Sequence, residues 1–74
     1  MKLSASQKKI LHYLALRFPK AMSATSIGEE INGGGARWSA PVCTKLVNMG
    51  LVDKDELGHF RANDKGVTLL RESK

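Results

Sequence analysis

Three consecutive glycines, Gly33, Gly34 and Gly35, stand near the middle of a 74-residue chain. Glycine takes left-handed backbone angles without a steric penalty, so no helix is expected to run through Asn32-Gly33-Gly34-Gly35. Pro19 imposes a second break, because the residue before a proline is pushed out of helical geometry. Gly50 marks a third. These breaks cut the chain into short segments that must pack on one another. At this length only one domain, residues 1–74, with one core is expected.

The first segment opens with Ser4 and, three residues later, Gln7, the spacing of a capping box in which each side chain satisfies an orphan amide. Ile10, Leu11, Leu14 and Phe18 then recur at helical spacing, predicting an amphipathic helix that ends near Phe18. A second helix is predicted from Ser23, with Ile27 and Ile31 one turn apart and inward-facing. Gly28 between them lowers helix propensity by about 1 kcal/mol against alanine, which makes sense where another helix crosses closely. The third helix is expected from about Ser39 to Met49, with Ser39 as its cap and Pro41 in its first turn. Val42, Leu46 and Met49 would then be buried, with Ala40, Thr44 and Asn48 on the opposite side and Lys45 on a flank. Leu51–Lys54 and His59–Ala62 read as the strands of a hairpin around Asp55-Glu56-Leu57-Gly58. Asn63 caps a last helix that docks through Val67, Leu69 and Leu70. The expected fold class is mainly α with a small β-hairpin.

Charge narrows the function classes. Twelve Lys and Arg against seven Asp and Glu give a net charge of +5, which favours an anionic partner. Residues 1–22 hold Lys2, Lys8, Lys9, Arg17 and Lys20 and no acid. The single cysteine, Cys43, rules out an intrachain disulfide and a cysteine-rich zinc site. No apolar run approaches the roughly 20 residues of a membrane span, and no signal-peptide core is seen, so a cytoplasmic protein is expected. Catalytic groups do not cluster, so neither an enzyme nor a cofactor or metal site is expected. Cys43 with His12 or His59 as its base lacks any spacing that places them together, and it reads as half-buried packing on a helix flank. Trp38 reads as packing beside the third helix. The glycine run lacks the lysine and the preceding strand of a phosphate-binding loop.

The order helix, helix, helix, hairpin, helix resembles the winged helix-turn-helix domain, particularly in MarR-like and LexA-like regulators of bacteria and phages. The resemblance rests on Leu3-Ser4-Ala5-Ser6-Gln7, on Ser26-Ile27-Gly28-Glu29-Glu30-Ile31, on Lys45-Leu46-Val47-Asn48-Met49-Gly50-Leu51-Val52, and on the stretch from Gly58 to Leu70. It spans nearly the whole chain. The three glycines loosen the turn between the second and third helices, and Asn63 stands where threonine is usual. The extra dimerisation helices of MarR-like proteins and the protease domain of LexA-like ones have no counterpart, so dimerisation and effector sensing do not carry over.

The resemblance implies sequence-specific binding of double-stranded DNA and transcription regulation, with the third helix in the major groove. On that reading Arg37, Ser39, Ala40, Thr44, Lys45 and Asn48 face the DNA. Asparagine bonds adenine in two places, alanine or threonine touches a thymine methyl, and Arg37 and Lys45 suit phosphates, Arg37 guanine as well. Lys54, His59 and Arg61 are wing candidates, although residues 53–62 carry three carboxylates against two cations, a net charge of −1. Lys8 and Lys9 are candidates for flanking backbone. One such module makes few contacts, which implies a homodimer or a partner protein. The alternative is a winged-helix interaction module that docks on protein and does not bind DNA.

Overall fold

The computed structural model describes residues 3–31 and 33–72. Four helices and one two-stranded antiparallel hairpin follow in the expected order: α1 (Ala5–Leu16), α2 (Ala24–Ile31), α3 (Gly35–Asn48), β1 (Val52–Lys54), β2 (Phe60–Ala62) and α4 (Asp64–Glu72). The arrangement is mainly helical and compatible with a winged-helix order. Among the described residues no helix is long and apolar enough to cross a membrane.

Helix α1 begins where the capping box places it. The Ser4 amide donates to Gln7 Oε1 at 2.9 Å, and the Gln7 amide donates to Ser4 Oγ at 3.2 Å. The helix closes at Leu16, two residues short of Phe18, with the Arg17 amide turning back to Leu14 O at 3.1 Å. Phe18 lies past the helix end, so the periodicity that predicted its burial no longer applies, and it is 43% exposed. Tyr13 takes its place in the core beside Ile10, Leu11 and Leu14.

Helix α2 opens as expected, with Ser23 Oγ accepting from the Ser26 amide at 3.1 Å. Ile27 is fully buried and Ile31 packs partly against the core. Gly28 meets the start of α3 so closely that a Cβ there would overlap the backbone carbonyl of Gly35. The close crossing expected from sequence is therefore made by the backbone that opens α3.

Helix α3 departs most from expectation. It starts at Gly35, four residues before Ser39, so Ser39 is not its cap and Pro41 is not in its first turn. Ser39 is fully buried instead, its hydroxyl donating to the carbonyl of Ala24 in α2, with Gly35 O as a second acceptor at 3.3 Å. A serine two residues ahead of a proline carries the local signature of a helix start. Here that signature is overridden by a tertiary hydrogen bond that no local pattern reveals. The buried stripe also differs from the expected one. Ser39, Cys43 and Leu46 are buried, while Val42 and Met49 are only partly covered. The helix ends on Gly50, at φ 79°, where its amide bonds Val47 O at 2.9 Å and the Leu51 amide bonds Leu46 O at 3.1 Å. This is the paired closure that a left-handed glycine permits.

The hairpin pairs Val52 with Ala62, Asp53 with Arg61 and Lys54 with Phe60. Asp55 shapes the turn, its Oδ1 accepting from the amides of Leu57 at 2.9 Å and His59 at 2.8 Å. A further bridge was not foreseen: Met22 and Phe60 exchange both backbone hydrogen bonds, at 2.8 and 2.7 Å. It ties the segment before α2 to the hairpin. Asn63 caps α4 through its Oδ1, which accepts from Gly66 N at 2.9 Å, while its Nδ2 donates to Gly50 O at 2.8 Å. One side chain thus fixes the end of α3 against the start of α4. Val67, Leu69 and Leu70 pack against the core as expected.

Candidate nucleic-acid interface

On a helix of 3.6 residues per turn, steps of four, three and four return to one face. Arg37, Pro41, Thr44 and Asn48 have that spacing in α3, with Lys45 beside them, and all five are exposed. Ser39, Cys43 and Leu46 lie on the opposite, buried face. Of the six residues expected to face DNA, Arg37, Thr44, Lys45 and Asn48 therefore share one open stripe. Ala40 is half-buried at its edge. Ser39 is a correction: it is enclosed between α2 and α3 and reaches no partner outside the chain. Pro41 belongs to the stripe as well, and sequence reasoning missed it by reading the proline only as a marker of the helix start. The period of the exposed residues themselves was the signal for it.

Residues 35–48 contain two cations and no acid. Among the described residues neither Arg37 nor Lys45 forms an ion pair. Thr44 is less free than its exposure implies, because its Oγ1 donates to Ala40 O at 2.9 Å.

The hairpin candidates are arranged differently. Arg61 Nη2 lies 3.9 Å from Asp53 Oδ2, across the strand pair. Lys54 Nζ sits 5.8 Å from the centre of the Phe60 ring. His59 is half-buried, with its amide held by Asp55. Among the described residues the most exposed large apolar one is Leu57 at the hairpin tip, 80% exposed between Glu56 and Gly58. An open groove of about 700 Å³ runs from the end of α3 to the start of α4, bringing Lys54 and Arg61 together with Lys65, Asp53 and Asp64. Sequence reasoning did not find Lys65, because only the docking of α4 on the hairpin brings it there.

Lys8 and Lys9 are exposed on α1 but stand apart from the α3 stripe. With Ala5, His12 and Leu70 they line a separate groove of about 490 Å³ between α1 and α4. Arg17, another cation of the basic first segment, is already engaged. Its guanidinium lies 3.8 Å from the centre of the Tyr13 ring, and its Nη1 donates to Tyr13 O at 3.3 Å.

Cys43 is fully buried rather than half-buried on a flank, and burial pushes its thiol up from about 9 to about 11. At neutral pH it therefore stays protonated beneath α3, and the nucleophilic thiolate is not formed. Trp38 packs partly against the core. Among the described residues no group of three or more His, Cys, Asp or Glu is placed to hold a metal ion.

No protein-family model matches the chain, and neither does any curated protein or solved structure.

Proposed function

We propose that the chain is a winged helix-turn-helix protein of the kind that regulates transcription in bacteria and phages. In this reading it binds double-stranded DNA sequence-specifically, with α3 in the major groove. The observation that carries the reading is the stripe on α3: two cations without an ion pair among the described residues, an asparagine and no carboxylate, on an open helix face backed by a fully buried one. Arg37 in the first turn and Lys45 further along hold phosphates, with guanine a second target for Arg37. Asn48 offers the amide pair that adenine accepts and donates to. Lys8 and Lys9, on another face, serve at most flanking backbone. A single helix of this length makes few contacts, so tight binding calls for a homodimer or a partner protein. The chain works in the cytoplasm in this account, without cofactor and without catalysis.

A second reading, a module that docks on protein, draws on two features. These are the α1–α4 groove with Leu70 in its wall, and Leu57 standing out from an acidic hairpin tip. Salt separates the two readings, because phosphate contacts release counterions. A random-sequence duplex titrated by fluorescence anisotropy at roughly 50 and 200 mM salt should lose at least tenfold in affinity at the higher value. Binding that is absent at both, or insensitive to salt, removes the DNA reading.

A further inference from the structure

Resting on the DNA-binding reading, we infer that the α3 stripe selects A·T-rich sequence, through contacts between its apolar centre and the 5-methyl groups of thymine. The middle of the stripe carries no charge and little free hydrogen-bonding capacity. Pro41 is the seventh residue of α3, exposed, with no N–H to donate and a hydrocarbon ring as its side chain. Thr44 follows on the same face, and its hydroxyl proton is committed to Ala40 O. What Thr44 adds to the stripe is chiefly its γ-methyl.

Two apolar groups side by side gain nothing from phosphate oxygens. In the major groove the apolar feature of the base edges is the thymine methyl. Asn48, the next stripe residue after Thr44, supplies the bidentate pairing suited to adenine. Arg37 and Lys45 flank the apolar centre and account for affinity through the backbone rather than for sequence. The stripe as a whole is thus ordered cation, apolar pair, amide, with a second cation alongside. The ligand it fits is a duplex with one or two thymines next to an adenine.

Uracil tests this directly, since it keeps every hydrogen-bonding group of thymine and lacks only the methyl. The best duplex recovered from a random pool by the wild-type protein is remade with deoxyuridine at each thymine in turn. Affinity is expected to fall about fourfold for each contacted methyl, the equivalent of one buried methylene. Thr44→Ser should abolish one of these losses and Pro41→Ala, which leaves only a single short methyl, should reduce another, with the salt dependence unchanged in both. Thr44→Ser keeps the hydroxyl bond and Pro41→Ala introduces the strongest helix former, so both variants are expected to fold, which circular dichroism checks. Salt-sensitive binding with G·C-rich selected sites, or with no loss on any thymine-to-uracil change, overturns the inference and leaves the DNA reading intact. No binding to any duplex overturns both.

Discussion

The α3 stripe and the hairpin, the two surfaces that the proposed reading could turn toward DNA, are built on opposite electrostatic plans. The stripe has two cations, neither paired with an acid among the described residues. In the hairpin Arg61 faces Asp53 in register, and three carboxylates outweigh two cations. Exposed pairs of that kind add little to stability, roughly 0 to 1 kcal/mol, but they lower the net charge that a phosphate meets. The stripe also has a rigid seat, its reverse face buried through Ser39, Cys43 and Leu46. The hairpin tip has none, and its Leu57 stands in solvent. Cation number alone, two in each, would rate the surfaces equal. Pairing and backing separate them.

Charge reversal is the strongest way to break this comparison. Arg37→Glu with Lys45→Glu should lower duplex affinity by at least about 100-fold, whereas Lys54→Ala with Arg61→Ala should change it by no more than about threefold. Anisotropy titrations at one salt concentration read both, and equal losses would put the hairpin on the DNA alongside α3.

The seat beneath the stripe can be tested on its own. Gly28→Ala gains about 1 kcal/mol of helix propensity but drives a methyl into the Gly35 carbonyl, an overpacking cost of about 3 kcal/mol. A net loss of about 2 kcal/mol in urea-unfolding stability is expected, and unchanged stability would mean that the α2–α3 crossing is looser than described. Cys43 probes the same seat through pH. The folded chain holds its proton to about pH 11, while the unfolded chain releases it near 9. Its contribution is therefore complete below pH 9 and is lost as pH rises through 11, by roughly 3 kcal/mol at most. Urea midpoints between pH 8 and 10.5 should fall in the wild type, and more gently in Cys43→Ala after allowing for its lower starting stability.

The smallest effect sharpens the hairpin side. Glu56→Gln removes one carboxylate without touching the Asp55 turn, and should raise affinity by no more than about twofold if the tip lies near phosphate. A gain well above that would give the hairpin a larger part.

What could be read from the sequence divides along the range of the interactions. Ser4 with Gln7, Gly50 and the Asn63 cap act within three or four residues, and each ends or opens an element where expected. Gly28 was legible because its cost in a helix required a reason, and the close crossing is that reason. Ser39 was misread because its partner, Ala24 O, is fifteen residues away, and the same local signature marks a cap. Pro41 carries the same ambiguity: locally it marks a first turn, whereas in α3 it is the seventh residue and lies at the surface. The Met22–Phe60 bridge involves a single residue on one side, which leaves no periodicity to detect. For the candidate site, the cations and Asn48 were visible as residue types. Which of them share a face, and that Lys65 joins Lys54 and Arg61, depended on packing.

The central claim is that α3 is the surface that meets DNA, and backbone amide shifts during titration with duplex DNA test it most directly. The account predicts shifts concentrated from Arg37 to Asn48 at roughly 50 mM salt that collapse at 200 mM. Shifts centred instead on Lys8, Lys9, His12 and Leu70, or none at the lower salt, would contradict it.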